Sequence, residues 1–189
     1  MRVLLVRHGQ TDWNAAARIQ GASDVPLNAA GRAQAAELAR TLASGERPEA
    51  LYSSPLSRAM ETAEIIGAAL GLPVTPAAEL TELNFGDWEG STWEEIGRRW
   101  PREFAAYAAD RRGYAPPHGE SYARMLLRAR PFIERLRRAP GGAALCIAHS
   151  AVIRGLLAEE RGIGVGDSYK RIRLPNGVII PLENLFEEG

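Results

Sequence analysis

The sequence predicts an α/β fold, a three-layer α/β/α sandwich with a mostly parallel central sheet, in one domain that spans residues 1–189. Short apolar segments of strand length alternate with longer segments of helical periodicity, which is the pattern of parallel strands joined by helices. The apolar segments at 3–6 and 143–148 contain no polar position, as expected of strands covered on both faces. A length of 189 residues suffices for one sizeable core.

The elements of the first half follow from apolar runs and from residues that start or stop helices. Thr11 caps a short helical turn, and Asn28 caps a long helix. Pro55 begins a second long helix, which ends at Gly71. The predicted elements are strands at 3–6, 50–53 and 74–75 and helices at 28–42 and 56–70.

The second half begins with residues 77–90, which have little periodicity and are predicted to form a long loop of the kind that is often functional. Ser121 caps a helix that Pro131 is expected to kink or divide. The pair Asn176-Gly177 suits a tight turn and predicts a terminal hairpin. The predicted elements are helices at 92–100, 101–110, 121–138 and 150–160, a loop at 111–119, strands at 143–148, 169–174 and 177–182, and a partly disordered acidic tail at 183–189.

Composition and charge exclude several classes of protein. The 23 basic and 23 acidic side chains cancel, so no overall field attracts nucleic acid or an anionic membrane. No apolar stretch approaches the ~20 residues of a membrane span, and the N-terminus shows no signal-peptide pattern. Cys146 is the only cysteine, which rules out an internal disulfide. We therefore expect a cytoplasmic protein with no nucleic-acid or membrane partner, and a homodimer is compatible with these features.

Polar side chains of related chemistry follow the predicted strands. Arg7 and His8 come directly after the first strand, and His149 comes after the strand at 143–148. Because the carboxyl ends of parallel strands meet at one edge, the two histidines are expected to face each other, with Arg58 at the same edge. A guanidinium binds two phosphate oxygens and a neutral imidazole supplies a nucleophilic lone pair, a combination that suits attack on a phosphoryl group.

Each of these residues has a simpler explanation when it is taken alone. Glu82 lies in the predicted loop among hydrophobic neighbours, where partial burial would raise its pKa, yet a solvated loop charge is the commoner case. Arg58 can pair with Glu61 or Glu64 on its own helix, and His149 can simply end its strand. The individual residues therefore leave both interpretations open.

Four motifs in a fixed order resemble those of a known family. They are RHG at 7–9, SSPLSRAMETA at 53–63, ELNFGDWEG at 82–90 and AHS at 148–150, extended by QTDWN at 10–14, RIQG at 18–21, DVPLN at 24–28 and GES at 119–121. The set resembles the histidine phosphatase superfamily, branch one, the group of phosphoglycerate mutase-like enzymes. RHG alone is weakly specific, but the ordered set covers nearly the whole chain. The ELNFGDWEG segment looks like the phosphatase variants, including those similar to α-ribazole phosphatase.

The resemblance implies a phosphoglycerate mutase-like fold and a phosphohistidine mechanism without metal or cofactor. His8 would attack phosphorus, and Glu82 would protonate the leaving oxygen and later deprotonate water. His149 would act as an imidazolium in a cationic clamp on the phosphoryl oxygens. Gln20 serves equally well as a substrate contact or as a support for its loop. The full assignment is catalytic His8, Glu82, Arg7, Arg58 and His149, and substrate-binding Asn14, Gln20 and Gly21.

Three functions fit the motifs. The favoured one is a phosphatase that hydrolyses a small phosphorylated metabolite, because family mutases look longer and this chain has a short segment at 88–119. The alternatives are a cofactor-dependent phosphoglycerate mutase, with Arg111 and Arg112 as a grip on the substrate carboxylate, and a non-catalytic phosphate-binding module. His118, in the loop at 111–119, has an open role. The substrate itself depends on loops whose specificity the sequence does not determine.

Overall fold

Five strands form one sheet in the computed structural model, which describes residues 1–45 and 47–182. The strands are β1 (Arg2–Arg7), β2 (Ala50–Ser53), β3 (Val74–Pro76), β4 (Ala143–Ala148) and β5 (Ile179–Leu182). The helices are α1 (Asp12–Ala15), α2 (Ala29–Ser44), α3 (Ser57–Leu70), α4 (Trp93–Arg99), α5 (Pro101–Ala109), α6 (Tyr122–Arg138), α7 (Ser150–Glu160) and α8 (Val165–Arg171). The predicted tail at 183–189 lies outside the described residues.

The order of the strands in the sheet, β3-β2-β4-β1-β5, creates a crevice between β4 and β1. The chain leaves β1 toward β2 on one side and leaves β4 toward β5 on the other, which makes their carboxyl ends a topological switch point. β1 and β4 are parallel and in register, with Arg7 opposite Ala148. His8 and His149, the next residue of each strand, therefore emerge side by side.

Alternate side chains of the strands enter two hydrophobic layers. Val3 and Leu5 of β1 pack with residues of α6 and α7 on one face, and Leu4 and Val6 pack with residues of α2 and α3 on the other. A sheet covered by helices on both faces is a three-layer sandwich, so the predicted α/β fold is confirmed.

The predicted terminal hairpin is wrong. Residues 169–171 end helix α8, which was not predicted, and β5 pairs antiparallel with β1 instead of with the segment before it. The Asn176 side chain donates to the carbonyl of His8 at 2.7 Å, and the Gly177 N–H donates to the carbonyl of Arg7 at 2.9 Å. These bonds fix the turn against the carboxyl end of β1. The chain after the Asn-Gly pair therefore continues as β5, the edge strand that pairs with β1.

Helix α6 is continuous through Pro131, so the helix is not divided there, and the alternative expectation of a kink stays a prediction. Pro131 cannot donate to the carbonyl of Leu127, four residues earlier. The side chain of Leu127 is 78% exposed, which places that turn on the solvent side of the helix. Thr11, Asn28 and Ser121 cap their helices as predicted. Among the described residues, no helix combines the length and apolar character of a transmembrane segment.

Candidate active site

His8 is buried at the end of β1 and is held by a backbone hydrogen bond. Its Nδ1 lies 2.6 Å from the carbonyl oxygen of Gly9, and because a carbonyl only accepts, Nδ1 carries the proton. The Nε2 of the neutral ring then keeps its lone pair. A Cβ at Gly9 would lie 2.4 Å from the carbonyl oxygen of Gly31, so only glycine permits the close approach of this segment to α2.

The surroundings of His8 favour its neutral form. Burial lowers the pKa of His8 well below its usual value, and the nearby charges of Arg58 and Arg7 lower it further. A neutral imidazole with a free Nε2 is the nucleophilic form of histidine.

Arg7 and Arg58 leave buried N–H groups without partners beside His8. Arg58 is fully buried and donates through its two terminal nitrogens to the carbonyls of Ser23 and Gly21, each at 2.7 Å. Arg7 donates to the carbonyl of Leu174 at 2.9 Å. The Nε atoms of both arginines are buried with no hydrogen-bond partner among the described residues. Because unsatisfied buried donors are costly, these groups are ready to receive an anion.

His149 is fully buried, with its ring centroid 5.0 Å from that of His8. Its Nε2 lies 2.8 Å from Oγ of Ser54, and that oxygen also receives the backbone N–H of Leu56. We assign the Ser54 hydroxyl as the donor in this contact, an arrangement that places the ring proton of His149 on Nδ1. Nδ1 is buried and has no partner among the described residues. His149 is thus a donor toward an anion, in the tautomer opposite to that of His8.

The expectation that His149 works as an imidazolium is not favoured by its surroundings. Burial lowers the pKa of His149 well below its usual value, and the charges of Arg58, Arg7 and Arg128 act in the same direction. The neutral ring can still donate through Nδ1, so a clamp on phosphate oxygen does not require the extra charge.

Glu82 is buried in the loop between β3 and α4, and its carboxylate lies at the N-terminus of α7. It accepts the backbone N–H of Leu83 at 2.9 Å and that of Ala151 at 3.2 Å. Burial raises the pKa of Glu82, although these N–H groups and the charges of Arg58 and Arg7 oppose the rise. A carboxyl group with a raised pKa is suited to deliver and recover a proton.

The three remaining predicted residues lie around the same space. The Oδ1 of Asn14 accepts the backbone N–H of Thr11 at 3.2 Å, which leaves its amide N–H groups for other partners. The Oε1 of Gln20 accepts the Thr11 hydroxyl at 2.9 Å, so Gln20 supports its loop. Gly21 has a φ of +56° and presents its carbonyl to Arg58.

These side chains surround a cavity of about 140 Å³, the central cavity. This space is large enough to hold a phosphoryl group. It is lined by Arg7, His8, Asn14, Arg18, Ile19, Gln20, Gly21, Arg58, Glu82, Phe85, Trp93, Ser150, Ala151 and Tyr169. His149 lies beside His8 without reaching the lining.

Several contributors were not identified from sequence. Tyr169 lines the cavity from α8, a helix whose last three residues were predicted as the start of a strand. The carboxylate of Glu89 accepts the backbone N–H groups of Ala22, Ser23 and Phe85 at 2.8–3.0 Å, which ties the loop that holds Arg58 to the loop that carries Glu82. Glu89 lies inside the ELNFGDWEG motif, so the motif contained the signal, whereas Tyr169 lies in none.

His118, Arg111 and Arg112 lie outside the lining of the central cavity. His118 is exposed and pairs with Asp87 at 3.0 Å, and Arg112 pairs with Glu159 at 2.9 Å. The Arg111 guanidinium stacks on the rings of Tyr107 and Tyr169, 4.9 and 4.5 Å from their centroids. Within residues 1–45 and 47–182, no group of three or more His, Cys, Asp or Glu side chains is arranged to hold a metal ion.

Comparison with known proteins agrees with this arrangement. The family model described as histidine phosphatase superfamily (branch 1) matches residues 3–184. A metal-independent phosphoserine phosphatase of Arabidopsis thaliana is 34% identical over 157 residues, 82% of this chain and 66% of that protein. A glucosyl-3-phosphoglycerate phosphatase of Mycolicibacterium vanbaalenii is 36% identical over 172 residues, 87% of this chain and 76% of that protein.

A solved structure of α-ribazole phosphatase from Shigella flexneri superimposes with a TM-score of 0.83 at 29% sequence identity. The match covers 95% of this chain and 88% of that one.

Proposed function

This chain belongs to branch 1 of the histidine phosphatase superfamily, as its motifs predicted, and we propose that it is a metal-independent phosphomonoesterase that forms a phosphohistidine on His8. One observation carries the proposal. Three buried donors without partners among the described residues, Arg7 Nε, Arg58 Nε and His149 Nδ1, lie around an imidazole whose Nε2 lone pair is free. Arg7 and Arg58 line the central cavity together with His8, so a phosphoryl group bound there would satisfy their donors and present phosphorus to Nε2, with His149 Nδ1 as the donor beside His8.

In the first step, Nε2 of His8 attacks phosphorus, and the bond between phosphorus and the ester oxygen breaks. The protonated carboxyl group of Glu82 gives its proton to the leaving oxygen, which departs as an alcohol. The arginine and His149 N–H groups stabilise the charge on the non-bridging oxygens in the transition state, and the Asn14 amide adds a neutral donor.

In the second step, a water molecule attacks the phosphohistidine. The Glu82 carboxylate accepts a proton from this water, the bond between His8 Nε2 and phosphorus breaks, and phosphate leaves. His8 then returns to the tautomer that its bond to the Gly9 carbonyl stabilises.

The named activities of the relatives support a small phosphorylated metabolite as substrate. Phosphoserine and glucosyl-3-phosphoglycerate are both phosphomonoesters of small molecules. The cationic N–H groups lie around the phosphoryl position, which supports recognition of the phosphate without a metal ion.

The mutase alternative has weaker support. Its grip on the substrate carboxylate was assigned to Arg111 and Arg112, but Arg112 pairs with Glu159 and Arg111 stacks between two tyrosines. The non-catalytic alternative is weaker again, because residues suited to act as nucleophile, clamp and acid lie close together.

The test measures phosphate release from a panel of phosphomonoesters in the presence of EDTA. The expected result is release that continues in EDTA and disappears in His8→Ala. Isomerisation of 3-phosphoglycerate, dependent on its bisphosphate and with little net phosphate release, would replace this proposal with the mutase.

A further inference from the structure

The GES motif at 119–121 lies outside the lining of the central cavity, but it packs against the loop that carries Glu82. The backbone N–H of Glu120 donates to the carbonyl of Asn84 at 2.9 Å, and the Glu120 carboxylate accepts the Asn84 N–H at 3.2 Å. A Cβ at Gly119 would lie 2.5 Å from the same carbonyl oxygen, so this close approach requires glycine. The motif therefore joins the start of α6 to the loop of the proposed general acid.

Arg128, near the middle of α6, contacts the same loop through its guanidinium. One terminal nitrogen donates to the carbonyls of Glu79 and Thr81 at 2.9 and 2.6 Å. The other donates to the carbonyl of Glu82 at 3.2 Å and to the carboxylate of Glu120 at 2.7 Å. One planar group thus bonds to four oxygens, three of which belong to the main chain of the loop. A lysine ammonium, which is a single point charge, cannot reproduce this arrangement.

The loop around Glu82 has no regular structure to hold its backbone. Residues 81–85 belong to no helix or strand, so their carbonyl groups lack the partners that such elements provide. Arg128 supplies donors to the carbonyls of Thr81 and Glu82. The side chains of Arg128 and Glu120 are only 27% and 16% exposed, which limits the screening of their ion pair by water and salt.

The carboxylate of Glu82 is held separately at the N-terminus of α7. It accepts the backbone N–H groups of Leu83, Ala151 and Val152 at 2.9, 3.2 and 3.4 Å. These bonds orient the carboxylate, but its distance from the leaving oxygen also depends on the position of the Glu82 main chain. Arg128 fixes that position from α6, so two helices together determine where the proton donor lies.

We propose that Arg128, paired with Glu120, is a positioning residue that holds Glu82 at the distance from the leaving oxygen that proton transfer requires. Arg128 does not line the central cavity, so it acts through Glu82 and not on the substrate. The inference rests on the proposed phosphatase function. Since a displacement of ~1 Å can slow an oriented reaction about 10²-fold, loss of Arg128 should slow the step that needs the proton.

The test compares two esters of similar shape that differ in their need for a proton. p-Nitrobenzyl phosphate releases an alkoxide, which must be protonated as it leaves, whereas p-nitrophenyl phosphate releases a stable phenolate. For both esters kcat/KM reports the steps up to transfer of the phosphoryl group to His8. A lower fraction of folded enzyme reduces both values equally, so their ratio separates a positioning role from a purely structural one.

In Arg128→Met, kcat/KM for p-nitrobenzyl phosphate should fall about tenfold or more further than kcat/KM for p-nitrophenyl phosphate. Glu82→Gln should show the same selectivity to a greater extent. Arg128→Lys, which keeps the charge without the planar group, should lie between Arg128→Met and the wild type, and it carries the test if Arg128→Met does not fold. Arg130→Met is the matched control with the wild-type ratio, because it removes an exposed arginine of α6 that pairs with Glu134.

A wild-type ratio in both Arg128 variants, whether or not their activity falls, would overturn the inference and leave the phosphatase proposal intact. Equal losses for the two esters in Glu82→Gln would remove Glu82 as the general acid, and this inference with it. Absence of hydrolysis of both esters by the wild-type protein would overturn the phosphatase proposal and the inference together.

Discussion

The carboxyl ends of β1 and β4 carry the same side chain in similar burial, yet the two imidazoles have different partners. His8 donates through Nδ1 to the Gly9 carbonyl, whereas Nε2 of His149 lies against the Ser54 hydroxyl, which we assign as the donor in that contact. Opposite tautomers result, with a free lone pair on His8 and a free N–H on His149. The difference teaches that one hydrogen bond to each ring is enough to divide a symmetric pair of histidines into a nucleophile and a donor.

The largest expected effect comes from removing the free lone pair. His8→Ala should lower kcat by about 10⁴-fold or more, because the covalent route is lost. Initial rates of phosphate release from p-nitrophenyl phosphate measure this, with His118→Ala as the matched control at an exposed histidine. If the kcat of His8→Ala stayed within tenfold of the wild-type value, His8 at the end of β1 would not be the nucleophile.

Glu82→Gln tests proton transfer. The Glu82 carboxylate accepts a backbone hydrogen bond from the first turn of α7, the helix that follows β4. Loss of general acid and base catalysis should lower steady-state kcat by about 10²–10⁴-fold. With p-nitrophenyl phosphate, whose leaving group needs little protonation, the variant should give a burst of p-nitrophenol followed by slow turnover. Stopped-flow absorbance records the burst, and equal loss in both phases would contradict the two-step role.

His149→Ala removes the donor and keeps the nucleophile. We expect kcat to fall by about 10²–10³-fold, the usual cost of one donor to a developing charge. The phosphoenzyme should still form, more slowly, in a rapid-quench experiment. If His149→Ala abolished the phosphoenzyme while His8→Ala retained it, the roles of the two strand ends would be reversed.

Both histidines should also make stability depend on pH. Their pKa values are lowered in the folded protein, so below pH ~6.5 the unfolded chain binds protons that the folded one does not. The free energy of unfolding should therefore fall as the pH decreases below that value, by up to ~1.4 kcal/mol per pH unit for each histidine. Glu82 acts in the opposite direction. Its pKa is raised in the folded protein, so at pH values above its ordinary pKa the folded chain binds a proton that the unfolded chain has lost.

Urea denaturation between pH 7 and 5 measures this dependence. His149→Gln should remove about half of the histidine contribution to the slope, while the exposed control His118→Gln should keep the wild-type slope. An unchanged slope in His149→Gln would mean that His149 is protonated in the folded protein.

The smallest expected effect comes from Ser54→Ala, which removes the bond that sets the His149 tautomer. We expect kcat to fall less than tenfold, because Nδ1 can still carry the proton for part of the time. The ¹⁵N chemical shifts of the ring nitrogens should show His149 changed and His8 unchanged. A shift of His8 alone would contradict the separate control of the two rings.

The sequence was sufficient to predict that the histidines share one edge of the sheet, because parallel strands align their carboxyl ends whatever lies between them. Helix starts at Thr11, Asn28 and Ser121 were also predictable, since a cap depends on residues only three positions away. Local patterns are enough for such features.

Features that depend on distant partners were not predictable in the same way. The Asn176-Gly177 turn was recognised. The strand with which the following segment pairs, however, depends on hydrogen bonds to residues some 170 positions earlier. The tautomer of His149 depends on Ser54, which another strand positions. Tyr169 reaches the central cavity from α8, which packs against α7, and no local pattern indicates that packing.

The most direct test of the account is to locate the phosphoryl group on the enzyme. Glu82→Gln would be mixed with p-nitrophenyl phosphate in EDTA, quenched in alkali to preserve phosphohistidine, and analysed by ³¹P NMR and peptide mass spectrometry. The account predicts close to one phosphoryl group per chain, bonded to Nε2 of His8. A phosphoryl group on His149, or p-nitrophenol release with no phosphorylated residue, would contradict it.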